Sequence, residues 1–321
     1  MKRAHVIIVG GLLALVLIMP FHAFLAVWLG SITGHQVIWQ GWKEFLTLVL
    51  IGCSAVILVR SPTARQRLGG PLNLTILAFA VLSLLVTIIT HPNVSGVAYG
   101  LKTDLEFFVL FLLAQLVASR ELKSQLVKII LITGTIVAVI GLALVTILPH
   151  DMFIHFGYNT KTILPFETVD PAITAIRTPS TLGGPNQFGS FLILPLCLAV
   201  GLMMRRFRWW QPVVIGLCLG GVWVSYSRIA LIGAIVGIVV AILTALPRRQ
   251  FWLASIVSLS LLVAGGIGLL SLTHGNSKLQ YYVLHQSNTT VNKRASTTEH
   301  ISSFSQGINE LSKSPLAGLA R

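Results

Sequence analysis

Apolar residues fall in nine long runs separated by polar gaps, at approximately 5–30, 43–60, 72–90, 105–119, 127–148, 188–204, 210–226, 229–247 and 251–272. A bilayer core about 30 Å thick takes roughly 20 residues of helix, and in lipid only helices or closed barrels satisfy their own backbone polar groups. Runs of these lengths predict helices, two of them short. The expected fold class is therefore all-α, a polytopic transmembrane helical bundle of about nine spans with extracytoplasmic loops. Composition agrees: 55% hydrophobic and 10% charged residues leave too few ionisable groups to solvate the surface of a soluble fold.

The gaps sort by their basic content. With Met1 placed in the cytoplasm, the inside segments hold Lys2, Arg3, Arg60, Arg65, Arg67, Arg120, Lys123, Lys128, Arg205, Arg206, Arg208, Arg248 and Arg249, which is 13 of the 23 Lys and Arg residues. The remaining ten, among them Lys43, Lys102, Lys161, Arg177, Arg228, Lys293 and Arg294, fall mostly in longer outside loops. The positive-inside rule counts short loops, so the expected orientation has a cytoplasmic N-terminus. Trp209, Trp210 and Trp252 flank the basic turns as interfacial aromatics do. The net charge of +14 then reports topology and contact with anionic membrane lipids, and nucleic acid is not an expected partner. MKRAH resembles the charged start of a secretory signal, but the apolar stretch that follows is too long and lacks a small-residue cleavage site, so an uncleaved anchor is expected. Cys53, Cys197 and Cys218 all fall within runs and have no CxxC spacing, which makes them buried apolar side chains by default.

Two outside loops are long enough to hold chemistry, at roughly 149–187 and 273–321. The second is rich in Ser, Thr and Asn and contains a helical pattern from about Thr297 to Leu311. Neither a tandem repeat nor a low-complexity tract is present, and the chain divides into N-terminal membrane helices (1–150) and a region carrying the candidate chemistry (151–321). No closing helix follows the last loop, so a truncated or incomplete copy is the expectation.

Three stretches carry ionisable groups in unusual places. Ile176 to Gly189, IRTPSTLGGPNQFG, puts Arg177 beside a Gly-Gly-Pro turn, and Asn186 is placed to cap a helix starting near Gln187. A capped helix N-terminus next to an arginine is a candidate anion site; turn and cap requirements alone explain everything there except Arg177. Tyr226-Ser227-Arg228 lies between two apolar runs with almost no loop. A boundary arginine can simply snorkel to headgroups, yet this one stands on the side where short connections avoid basic residues. The third stretch, Lys293 to His300, leads into the last helical pattern. There Glu299 suits a first helical turn and His300 can move a proton near neutral pH, although a solvated polar loop can hold both without purpose.

Taken together, R-x-P-S-x-x-G-x-P-N-x-x-G before one span, S-R-x-A-L-x-G two spans later, and R-(x)5-H followed by S-P-L-x-G resemble the O-antigen ligase and O-antigen polymerase superfamily. The resemblance runs from about Leu164 to Leu319, and the first five spans match only as generic membrane helices. It implies an integral-membrane glycosyltransferase that takes a glycan from a polyprenyl diphosphate carrier at the outer face of the cytoplasmic membrane and passes it to a hydroxyl acceptor, either a glycan or a lipid. By the same resemblance Arg177, Arg228 and Arg294 contact the donor diphosphate, with Asn186 beside them. Permanently charged guanidiniums can stabilise the departing diphosphate, so neither a metal nor another cofactor is expected. The nine acids offer no DxD-type pair in an outside loop, since Asp104 and Glu106 begin a span.

Candidates for accepting the acceptor's proton are His300 and Glu299, then Glu167 and Asp170. Gly318-Leu319-Ala320 departs from the more usual Gly-x-Gly of the family, and the His-Asn stretch that the family's ligases carry beyond it is not in the chain. Two competing classes are a polytopic transporter or flippase and an inactive ligase-like fragment. A transporter calls for ionisable groups or broken helices within the spans. His22 near Pro20 is the main exception to their scarcity, and it is expected to be satisfied by neighbouring side chains.

Overall fold

The computed structural model describes residues 2–90, 94–170, 173–247 and 302–309. Helix α1 (Lys2–Ile18) runs through a 3-10 turn at Met19–Phe21 into α2 (His22–Thr33). There follow α3 (Gln36–Gln40), α4 (Trp42–Arg60), α5 (Pro62–Leu68), α6 (Pro71–Thr90), α7 (Val94–Leu116), α8 (Arg120–Thr146), α9 (Pro185–Arg205), α10 (Trp210–Val224) and α11 (Arg228–Ala245). Residues 302–309 are helical and exposed, inside the stretch whose pattern predicts a helix.

Among the described residues, six helical segments are long and apolar enough to cross a bilayer: Lys2–Thr33, Trp42–Arg60, Pro71–Ile88, Arg120–Thr146, Pro185–Arg205 and Arg228–Ala245. Large exposed apolar side chains on them, such as Val6, Phe45, Leu48, Leu74 and Ile232, are what contact with lipid requires. The chain is an α-helical membrane protein. Two expected spans fall short of that standard. The run at 105–119 lies on α7, which also carries Lys102, Asp104 and Glu106. The run at 210–226 forms the 15-residue α10, about 22 Å of helix at 1.5 Å per residue. The ninth run, 251–272, lies outside the described residues.

By compactness the chain separates into two units, one built on Met1–Leu15 and Lys43–Lys123 and the other on Val16–Trp42 and Ser124–Lys293. In the first, charges at the start of α4 and in the middle of α7 neutralise one another. Lys43 Nζ lies 3.2 Å from Glu106 and 3.7 Å from Glu44. Lys102 pairs with Glu44, and the buried Ser83 hydroxyl of α6 donates to Asp104. Buried charge is tolerated only when paired in this way.

The second unit is organised around α9. Phe188, Leu192, Leu196 and Ala199 recur at helical spacing and meet Val137 and Ala138 of α8, Cys218 and Val222 of α10, and Ala230 and Ala234 of α11. Gly189 lets α9 approach the others closely: a Cβ there would lie 2.5 Å from Ser225 Oγ and 2.7 Å from Ala230 Cβ. All three cysteines are free, and Cys218 is buried in this core.

The 149–187 segment is more structured than a loop. A 3-10 turn at Met152–Phe156 brings Phe153 and Phe156 against Phe24 of α2, and Tyr158 closes the cluster with its ring centroid 4.9 Å from that of Phe153. Gly157 ends the turn at φ 88°, a left-handed conformation that favours glycine, with Ser31 directly behind it. Next come two antiparallel strands, β1 (Glu167–Asp170) and β2 (Ile173–Arg177), in which Glu167 faces Arg177. This pair is the departure from an all-α expectation.

The expected satisfaction of His22 is met, since Trp42 Nε1 donates to its Nδ1 at 3.0 Å. Pro20 interrupts the first helix because it has no N–H to continue the ladder. The ladder bond one turn later, from Phe24 N–H to the Pro20 carbonyl, is replaced by partners from elsewhere in the chain. Thr181 Oγ1 donates to the Pro20 carbonyl at 2.8 Å, while Phe24 N donates to the Thr181 carbonyl at 3.3 Å.

Candidate functional site

Four chain segments converge in the second unit. Arg177 ends β2 and is 18% exposed at its side chain. Its guanidinium is held on three sides: Nε donates to the Ser225 carbonyl at 3.1 Å, Nη2 donates to Asn186 Oδ1 at 3.0 Å, and Nη1 lies 3.5 Å from Glu167 Oε2. Burial depresses its pKa, the Glu167 carboxylate acts against that, and the charge of Arg228 depresses it again. A guanidinium that is desolvated and repelled by a second one gains most from an arriving anion.

Each element that places these groups has a local reason. Pro185 starts α9 at the first helical position, where its missing N–H costs nothing. Gly184 is therefore the N-cap and makes no side-chain cap bond. This corrects the expectation that Asn186 caps the helix: Asn186 lies in the first turn, and its carbonyl is spent on Arg177. At the other side, Ser227 caps α11 by accepting from Ala230 N at 3.3 Å, so Arg228 is that helix's first residue. Ser225 Oγ donates to Val222 O at 2.7 Å and accepts from Ser227 N at 3.2 Å, which joins the end of α10 to the start of α11.

The two non-glycine residues of positive φ among the described residues lie in these stretches, Ser180 and Tyr226, both at φ 50°. Each costs about 1–3 kcal/mol, and such strain gathers at functional sites. Ser180 is fully buried, with its hydroxyl donating to Val137 O at 2.8 Å and its N–H donating to Thr178 Oγ1 at 3.1 Å. The turn before α9 is thereby pinned to α8.

Of the residues singled out in the sequence, the fold brings together Arg177, Asn186 and Arg228. Arg294, Glu299 and His300 lie outside the described residues. Two partners were not legible as such. The Ser225 carbonyl has no signature beyond its place in S-Y-S-R, and Glu167, read only as a candidate base, is the carboxylate facing Arg177. Among the described residues no three His, Cys, Asp or Glu side chains converge as a metal site. Comparison of the chain with protein-family models, with curated proteins and with solved structures gives no match.

Proposed function

We propose that this protein is a membrane glycosyltransferase that moves a glycan from a polyprenyl diphosphate carrier to a hydroxyl acceptor at the outer face of the cytoplasmic membrane, as the resemblance to O-antigen ligases and polymerases implies. The observation that carries the reading is that Arg177, held by Asn186 and by the carbonyl of Ser225 three residues before Arg228, lies within electrostatic reach of Arg228, which comes from a motif far away in the chain. Two like charges brought together beside a helix start repel one another, and a diphosphate is the kind of ligand that would repay the arrangement.

In this reading the chain crosses the membrane nine times with Met1 in the cytoplasm, and Arg177, Arg228 and Arg294 form the diphosphate clamp. The acceptor oxygen attacks the anomeric carbon from the face opposite the leaving group. The bond from that carbon to the diphosphate oxygen breaks with inversion, and the guanidiniums take up the charge left on the diphosphate. The hydroxyl proton passes to His300 or Glu299. Neither a metal nor an organic cofactor is needed for these steps.

A transporter is favoured by one observation, the break in the first helix at Pro20. The polar groups opened there are occupied by Thr181 rather than left for a solute, which favours the transferase. The deciding experiment is transfer by the purified chain in proteoliposomes, supplied with a polyprenyl diphosphate oligosaccharide and a lipid or glycan acceptor. The reading expects product, and strong loss of product with Arg177→Ala. Carrier movement across the bilayer without glycosidic bond formation would replace it with the transporter.

A further inference from the structure

Helices α8 and α10 meet closely at one end of their contact, where a Cβ on Gly220 would lie 3.3 Å from Leu142 and one on Gly221 3.7 Å from Ala138. Toward the other end a groove of about 410 Å³ opens between them. It is lined by Leu131, Ile132, Thr135 and Ile136 of α8 and by Val214 of α10, with Lys128 and Trp210 at its mouth. The spacing of these positions marks one face of each helix. Thr135 adds no polarity, because its hydroxyl donates to the Leu131 carbonyl at 2.7 Å.

The basic turn that precedes Trp210 is held in place. Gln211 is 2% exposed; its Oε1 accepts from Arg208 N at 2.7 Å and its Nε2 donates to Arg206 O at 3.2 Å. The turn joining α9 to α10 is therefore fixed while Arg205, Arg206 and Arg208 present exposed side chains beside Trp210. No carboxylate among the described residues pairs with Lys128 or with these arginines. An apolar slot of ligand-site volume that is lined at one end by a tryptophan and a lysine, with the exposed arginines of the α9–α10 turn just before that tryptophan in the chain, matches a molecule with a hydrocarbon tail and an anionic head.

We propose that this groove binds one anionic phospholipid, with an acyl chain along Leu131, Ile132, Ile136 and Val214 and the phosphate at Lys128 and the α9–α10 turn. The assignment is independent of the transferase reading, since it uses the opposite end of α9 and α10 from Arg177. The test is native mass spectrometry of the full chain, released from nanodiscs holding equal amounts of phosphatidylglycerol and phosphatidylcholine. One phosphatidylglycerol is expected to be retained in preference to phosphatidylcholine.

Lys128→Gln should reduce that preference about fivefold, the equivalent of about 1 kcal/mol for a basic residue at an anionic surface. Lys123→Gln, which removes a charge from the same helix outside the groove lining, should change it little. Ile132→Trp, which fills the slot, should abolish retention. Equal retention of both lipids by the wild type overturns the proposal. Equal losses in the Lys128 and Lys123 variants also overturn it, because a diffuse field would then account for the preference. Lys128 is an exposed side chain, so its variant keeps the test decisive even if Ile132→Trp does not fold.

Discussion

Arg177 donates from Nε to the main-chain carbonyl of Ser225 at 3.1 Å, a bond across 48 residues that ties the end of β2 to the end of α10. Because Ser227 caps α11 directly afterwards, the same few residues fix one guanidinium and begin the helix that carries the other. An oriented planar donor is what the proposed diphosphate clamp requires.

Arg228→Lys keeps the charge and loses the fork. If Arg228 grips a diphosphate through paired N–H donors, the replacement forfeits charge-assisted hydrogen bonding of about 1.5–3 kcal/mol, or roughly 10- to 100-fold in kcat/KM for the lipid-linked donor. Steady-state transfer in proteoliposomes reads this directly, and an unchanged rate would leave Arg228 as a headgroup contact. The same preparation should keep its rate in EDTA. A loss that added magnesium restores would show that arginines alone do not carry the leaving-group charge.

Glu167 occupies the remaining side of the Arg177 guanidinium, where an incoming phosphate oxygen must compete with it. Its carboxylate is 42% exposed, so the ion pair contributes at most about 1 kcal/mol to stability. Glu167→Gln should therefore leave the thermal midpoint nearly unchanged and tighten the binding of inorganic pyrophosphate by up to about fivefold, measured by calorimetry on the chain in nanodiscs. Weaker binding would mean that the carboxylate orients Arg177 rather than competing for it.

Gly189→Ala tests the packing beneath the site. The added methyl would meet Ser225 Oγ and Ala230 Cβ well inside contact distance, and both belong to rigid helix ends. Overpacking of this kind costs about 1–3 kcal/mol, and here it also moves the carbonyl that holds Arg177. Stability and transfer should fall together. Gly201→Ala has open space around it on the same helix and should change neither; transfer that survives a destabilised Gly189→Ala would show that the position of Ser225 is not critical.

Most of the helices were legible because their signal is strong and local. Apolar runs at 43–60 and 72–90 became Trp42–Arg60 and Pro71–Thr90 almost residue for residue. The run at 127–148 became Arg120–Thr146, since a helix continues through polar residues beyond the hydrocarbon and hydropathy cannot see that extension. What the pattern missed depends on distant partners. Nothing near Thr181 signals that it fills the gap at Pro20, and nothing near Lys43 signals Glu106. In the site, Arg177 and Arg228 stood out because each opposes a local expectation. Asn186 has the residue type that favours a cap, but Pro185 sets the helix start two residues earlier than the expected Gln187.

Thr181→Val removes a hydroxyl without changing shape. In the wild type that hydroxyl donates to the Pro20 carbonyl, while the Thr181 carbonyl accepts from Phe24 N–H, so one loop residue replaces a turn of helix on both sides of the break. The substitution strands a buried carbonyl at a cost of about 1–3 kcal/mol, unless α1 and α2 rejoin to satisfy it. Rejoining would pull Phe24 N–H away from Thr181 and loosen the 178–181 segment that Ser180 pins to α8. The expected result is a lower midpoint in a denaturing-detergent titration together with faster proteolysis of the 149–187 segment. Thr181→Ser, which keeps the donor, should behave nearly as the wild type. If valine were tolerated in both measurements, the break at Pro20 would be held by backbone contacts alone, and the turn carrying Arg177 would draw its rigidity from Ser180 and the aromatic cluster instead.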